Sequence, residues 1–482
     1  MAAAAATGRC ACRKSRDVQD AGTQTDTTLQ GQVPRLSTGN LFTLLSLWME
    51  RFPKDELKDN LKEDNQAGQV RASGLVVVRD GRVSGLYCSG PQLHAAQAAI
   101  VRQAGGGGLA GCQLYFSRRP CATCLKMVIN ADVSQIFFWP GDPEVSMLLP
   151  PMDPDPRPDQ GQTSSPGLSE AQLDAAAVDK LKASRSPACV PLPPLFPGVA
   201  QYVDETSRVG DFVERVREDE PEVDTDELFS RQRRRHLREF AAEFLIGSER
   251  QHRHVLTHMG LENLCVEPYL SGLRHNMREL VEVLATVSAG VPLLHHGFYS
   301  LEDAPAARAQ TATAGPSKES VDEAPGGPRS PALSQEVARH CIIQARLLAY
   351  RTEDPKVGVG AVIWAEGQSD GCDGTGRLYL VGCGYNAYPV GSQYAQYPQM
   401  DTKYLDRQWS KYRSREMRAG QRNILFVTKC PCDECVPLIR AAGITHVYTT
   451  DQDCGKDKGD ISYLRFRDMK GLSKFTVSST HA

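Results

Sequence analysis

Apolar positions along the chain recur with two periods, and the change from one to the other marks where helices give way to strands. Leu41, Phe42, Leu44, Leu45, Leu47, Trp48 and Phe52 make a broad helical face that Pro53 ends, and a face so wide needs a domain to cover it. Gly74 to Val78 is an unbroken apolar run of strand length. Asp80-Gly81 then offers a two-residue turn into Val83 to Cys88, which predicts a hairpin. A helical stretch from Leu93 to Val101, a strand at Leu114-Tyr115-Phe116, a helix after Cys121 and a strand at Ile136 to Trp139 continue the alternation, which favours an α/β layer. Further on, Leu237, Phe240, Ala241, Phe244 and Leu245 follow the i, i+3, i+4, i+7, i+8 spacing of an amphipathic helix.

The first pattern then returns. Pro120-Cys121-Ala122-Thr123-Cys124 matches Pro431-Cys432-Asp433-Glu434-Cys435 at an offset of 311, and the flanking strands Leu114 to Ser117 and Ile136-Phe137 find Leu425 to Thr428 and Val447-Tyr448 at the same offset. Gly74-Leu75-Val76-Val77 is echoed by Gly360-Ala361-Val362-Ile363. The chain therefore reads as a tandem of two related α/β units. Expected boundaries are a disordered tail over 1–40, a first unit over 41–140, a proline-rich linker over 141–210, a helical region over 211–302, a disordered linker over 303–334 and a second unit over 335–475.

Composition narrows the partners. At roughly 150 residues per domain, 482 residues hold about three domains, or two plus linkers. Lys and Arg total 55 against 58 for Asp and Glu, so no global positive field draws the chain to nucleic acid. Arg231 to His236 is a basic run that reads as a solvated helix face, and His252, His254 and His258 read as surface or packing residues. No apolar run approaches the roughly 18 residues of a membrane span, and Arg9, Arg13, Lys14 and Arg16 follow the opening alanines without a secretory core. The expected compartment is the cytoplasm, with the nucleus as a second site, and there the 15 cysteines should stay reduced.

Two thiolates separated by two residues at a helix start can grip one soft divalent ion, because the turn brings both sulfurs to one side and the helix amides favour negative charge. A single such pair also fits a redox dithiol or plain buried thiols. Duplication favours metal, and zinc leads. His94 lies 27 residues before Cys121 on its own helix, so three ligands can meet where two adjacent helices begin. A lone histidine is more often a satisfied core residue, but here the dithiol changes the odds.

This order of hairpin, His at a helix start, strand, Pro-Cys-x-x-Cys, helix and strand resembles the zinc-dependent cytidine and deoxycytidylate deaminase superfamily. The resemblance covers both α/β units, roughly half of the chain. It implies two mixed sheets of about five strands flanked by helices, with zinc (Zn2+) where the ligand helices start. It implies hydrolytic deamination of a free cytosine nucleoside or nucleotide, whether cytidine, deoxycytidine, dCMP or dCTP, by a zinc-activated water attacking C4. It also implies a homo-oligomer. In the family a Glu two residues after the ligand His carries the proton, a role worth about 10² to 10⁴ in rate.

Here that position is Ala96, so the first unit should hold zinc through His94, Cys121 and Cys124 without efficient turnover. In the second unit Cys432 and Cys435 supply two ligands. Asn386, after Gly384-Tyr385, matches the family's sugar-contacting Asn and also suits a hairpin turn. The expected His-x-Glu is missing: no His occurs between His340 and His446, and 27 residues before Cys432 stands Leu405. Neither Glu416 nor Cys430 is a convincing substitute. We expect that splicing or gene misassembly removed the segment. The expected function is a deaminase with impaired turnover; the alternatives are an inactive zinc- and nucleotide-binding regulator and, with little support from the charge balance, an editor of single-stranded nucleic acid.

Overall fold

The computed structural model describes residues 34–53, 70–104, 107–148, 173–176, 178, 188–190, 192–291, 296–301, 333–352, 358–367, 374–386, 421–459 and 461–479. Ser37 caps helix α1 (Thr38–Glu50), its hydroxyl accepting from the Asn40 amide at 3.1 Å. The hairpin follows as β1 (Gly74–Arg79) and β2 (Arg82–Cys88), turned by Asp80 and Gly81 at φ 51° and 73°. Two successive left-handed residues match the right-handed twist of the strands, which is why Asp-Gly works here. Helix α2 (Ala95–Gln103), β3 (Gln113–Phe116), α3 (Ala122–Asn130) and β4 (Gln135–Phe138) come next. The sheet has the order β2-β1-β3-β4-β5, where β5 is Ala188–Cys189; the first two pairings are antiparallel and the last two parallel.

Helices α4 (Val199–Arg208), α5 (Asp211–Asp219), α6 (Thr225–Phe244), α7 (Glu249–His258) and α8 (Tyr269–Ala289) form the middle of the chain. The buried stripe of α6 runs through Phe229, Gln232, His236, Phe240 and Phe244. Strand β6 (His296–Ser300) and helix α9 (Gln335–Ala349) lead into the second unit. It contains β7 (Gly360–Glu366), β8 (Leu378–Tyr385), β9 (Asn423–Val427), α10 (Val436–Ala441), β10 (His446–Thr449), α11 (Leu464–Asp468) and β11 (Ser473–Ser479). Its sheet order is β6-β11-β10-β9-β7-β8. The run β8-β7-β9-β10-β11 repeats the pairing directions of β2-β1-β3-β4-β5, so both units are mixed α/β layers of one topology, and β6 adds an antiparallel edge to the second.

One apolar cluster spans both units, and a second, around Leu425, Val447 and Phe466, lies within the second unit. Helix α1 is buried from Asn40 to Met49 because it lies between its own sheet and α9. Trp48 donates its indole N–H to the His340 carbonyl at 3.0 Å and stacks on the His340 ring at 4.6 Å. Gln344 bridges onward, donating to Met49 Sδ and accepting from Trp364 Nε1 at 3.1 Å. At the hairpin edges β2 lies beside β8, and Gly374 donates its N–H to the Cys88 carbonyl at 3.3 Å.

Several segments differ from expectation. The tail expected to be disordered through residue 40 has Leu36 fully buried, its N–H bonded to the Tyr350 carbonyl; residues 1–33 lie outside the described residues. Within the expected linker 141–210 the structure places β5, α4 and the buried side chains of Asp142, Glu144, Val145 and Asp174. The prolines interrupt regular hydrogen-bonded structure locally but exclude neither burial nor the elements that lie between and after them. Strand β6 falls in the expected helical region and β11 runs past 475. Most of the expected linker 303–334 lies outside the described residues. Cys430 is bonded to Cys454 as a disulfide, which corrects the expectation of reduced thiols throughout; the end of β9 and the loop after β10 bring the two Cα atoms to 5.6 Å, inside bridging range. Among the described residues, no helix is long and apolar enough to cross a membrane.

Candidate metal centre

His94 is the N-cap of α2, with extended backbone at φ −67° and ψ 155°, and its N–H donates to Gln97 Oε1 at 2.9 Å. Cys121 is the N-cap of α3 and accepts from the Cys124 amide at 3.5 Å. Strands β1 and β3 are neighbours, so the helices that follow β2 and β3 begin side by side. His94 Nδ1 thus stands 3.6 Å from Cys121 Sγ. A fourth donor arrives from elsewhere: Glu144 Oε2 lies 3.2 Å from His94 Nδ1 and accepts from the Cys121 amide at 2.8 Å. One donor atom from each of His94, Cys121, Cys124 and Glu144 falls within 4.8 Å of every other.

The surroundings hold these groups firmly. Glu144 donates its N–H to the Arg119 carbonyl at 3.0 Å, accepts the Arg71 N–H at 2.7 Å, and adjoins an isolated bridge between Val70 and Val145. Asp174 accepts the Ala122 amide at 2.5 Å and lies 3.7 Å from the buried Arg119 guanidinium. The Glu144 side chain is 2% exposed and that of His94 28%, so the imidazole is the edge that meets solvent. Hydrogen bonding to Cys121, then to Glu144, raises His94 to about 10 against the cost of burial. The Cys121 thiol is lowered to about 6, first by its hydrogen bond with Cys124 and, after the opposing cost of burial, by His94. Sulfur and carboxylate crowd around a point that favours positive charge. Two sulfurs, an imidazole nitrogen and a carboxylate oxygen form a donor set that suits zinc, and these four residues could hold one such ion. Ala96, buried at 1%, offers only a methyl group where the resemblance calls for an acid.

The second unit is less complete. Cys432 Sγ lies 3.5 Å from Cys435 Sγ, and hydrogen bonding to Cys435 lowers the Cys432 thiol to about 6. Cys435, not Cys432, caps the following helix, which is short and carries Pro437 in its first turn. Cys430 is taken up by its bond to Cys454. Among the described residues no third ligand joins this pair, while Leu405 and Glu416 lie outside the described residues. Asn386 follows β8, where its Oδ1 accepts from the Val359 amide at 2.8 Å and the Thr352 hydroxyl at 2.7 Å. It lacks the positive φ that a turn Asn often takes.

Elsewhere the basic run is split around α6: Arg231 pairs with Glu227 in solvent, Arg233 bonds Thr286, and His236 is buried. His252 is also buried, 2.8 Å from the Pro140 carbonyl. Sequence reasoning missed Glu144 and Asp174, since neither sits at a diagnostic spacing. One signal was available: ligands of parallel strands gather beyond their C-terminal ends, and Glu144 follows β4 as Cys121 follows β3.

No profile of a known protein family matches the chain. The chain is 51% identical over 480 residues to the cytidine and dCMP deaminase domain-containing protein 1 of Danio rerio, covering 96% of this chain and 94% of that one. Among solved structures, the dCMP deaminase of cyanophage S-TIM5 is 18% identical, covering 30% of this chain and 98% of its own, with a TM-score of 0.20. The RibD protein of Acinetobacter baumannii is 20% identical over 23% of this chain and 30% of its own, with a TM-score of 0.17. Likeness at that level decides nothing about chemistry. Identity over nearly the full length of both chains does decide kinship: the chain belongs to the family of cytidine and dCMP deaminase domain-containing proteins.

Proposed function

We propose that the chain is a hydrolytic deaminase of free cytosine nucleosides or nucleotides whose turnover is impaired, with its first unit serving as a zinc-holding, non-catalytic copy. The convergence of His94 Nδ1 on the paired thiols of Cys121 and Cys124 at two helix starts carries this reading. Zinc held there supplies Lewis acidity, which lowers the pKa of a water to about 7 when a coordination position is open. In the first unit His94 and the cysteines hold the ion, Gln97 fixes the N-cap backbone, and Asp174 ties down the start of α3. Ala96, at the position of the family's acid, cannot move a proton between water and base. Deamination then falls to the second unit, where Cys432 and Cys435 are the proposed metal ligands and Asn386 the proposed sugar contact, and where no His-x-Glu supplies the acid. A homo-oligomer completes the proposal.

The test is ammonia release from deoxycytidine, dCMP and dCTP by the zinc-loaded chain. Slow release that Cys432→Ser abolishes supports the reading. The missing acid favours a second reading, in which the chain binds zinc and nucleotide as a regulator; bound zinc with no ammonia at high protein concentration selects it.

A further inference from the structure

We infer that Glu144 is the fourth ligand of the metal in the first unit, closing that site so that it holds an ion without an exchangeable water. This rests on the proposal that the first unit binds zinc, and it concerns only the coordination position that a catalytic site leaves open. Tetrahedral zinc with bonds of about 2.0 to 2.2 Å to nitrogen and oxygen and about 2.3 Å to sulfur sets ligand edges of about 3.3 Å for N···O and about 3.6 Å for N···S. The chain places Glu144 Oε2 3.2 Å and Cys121 Sγ 3.6 Å from His94 Nδ1.

Burial argues the same way. The Glu144 side chain is 2% exposed, and its carboxylate is enclosed with both cysteine sulfurs and the His94 imidazole, one donor atom of each within 4.8 Å of the others. The backbone of Glu144 is pinned through both its N–H and its C=O, so the side chain is delivered to the donors rather than swinging past them. The exchange is chemically complete: the position that would bear the acid holds Ala96, and a carboxylate from the loop after β4 takes the place of the water that an acid would serve.

Cobalt(II) in place of zinc tests this on the full chain, with azide as the probe of an open position. The difference spectrum between the chain and His94→Ala isolates the first site from the Cys432 and Cys435 pair. The expected result is a thiolate-to-cobalt charge-transfer band that excess azide leaves unmoved. In Glu144→Gln, which keeps the volume and an acceptor for the Cys121 amide, azide shifts the spectrum, and a chelator removes zinc at least about tenfold faster. A wild-type spectrum that azide shifts as readily as that of the variant overturns the role of Glu144 while leaving metal binding intact. A wild-type spectrum that azide leaves unmoved supports the closed site even if the variant does not fold. Absence of any His94-dependent cobalt band removes the zinc reading itself, and this inference with it.

Discussion

Position 96 lies in the first turn of α2 with its methyl group 1% exposed, and the donors nearby include a glutamate supplied by another part of the chain. Restoring an acid there is therefore not enough. Ala96→Glu should release no more ammonia than the parent, because the fourth position is already filled; a gain of about 10² or more would show that an open water survives. Two glycines make a second residue-level case. A Cβ on Gly74 would collide with the Ser46 carbonyl of α1, and one on Gly360 with the Ala345 carbonyl of α9. Each glycine lets a helix backbone lie directly on the first residue of a central strand. Gly74→Ala and Gly360→Ala should each lower stability by about 1 to 3 kcal/mol, seen as a lower urea midpoint. Unchanged midpoints would mean that the helices shift aside freely. The nearness of His94 to the thiols was legible because each opens a helix, and the two helices, α2 and α3, pack against each other. Glu144 was not, since irregular chain has no period from which a position can be read.

At the scale of elements, local rules specified those whose pattern is self-contained. Asp80-Gly81 determined its hairpin outright, with both residues at positive φ. Helix α1 was legible as a helix but not in its surroundings: a face from Leu41 to Phe52 announces burial, yet nothing local says that Trp48 is covered by His340, 292 residues away. Trp48→Ala removes a stacked ring, a long-range hydrogen bond and much of the contact with α9. It should cost about 3 to 5 kcal/mol, with loss of cooperative unfolding by the two halves measured by calorimetry; a change below about 1 kcal/mol would mean that the helices do not depend on each other. The repeat also hid a difference. The two dithiols share their spacing, yet Cys121 caps a nine-residue helix while Cys432 precedes a six-residue one that carries Pro437 in its first turn.

For the whole molecule, buried histidines link stability to pH. Burial, with Arg339, Arg235 and Arg51 close by, lowers His236 to about 3; burial with Arg51 and Arg339 puts His340 well below its ordinary value; burial and Arg422 lower His446 to about 4. His236 Nε2 sits 3.3 Å from the Arg339 guanidinium and accepts from it only while neutral. Rings depressed in the folded state stabilise it above about pH 6.5, and that stability is lost as pH falls and the unfolded chain takes up protons, at up to about 1.4 kcal/mol per ring per pH unit. The urea midpoint should therefore drop between pH 7 and pH 5, and His236→Gln should flatten the drop. A midpoint indifferent to pH over that range would rule this out.

The seam between α1 and α9, together with β6 reaching from the first half to pair with β11, means that covalent continuity is not what keeps the halves together. A protease nick between residues 302 and 332 should leave two fragments that co-purify and refold by complementation. Either fragment made alone would turn a greasy wall to water, with Trp48 and Phe52 on one and Trp364 on the other, and adhere to itself.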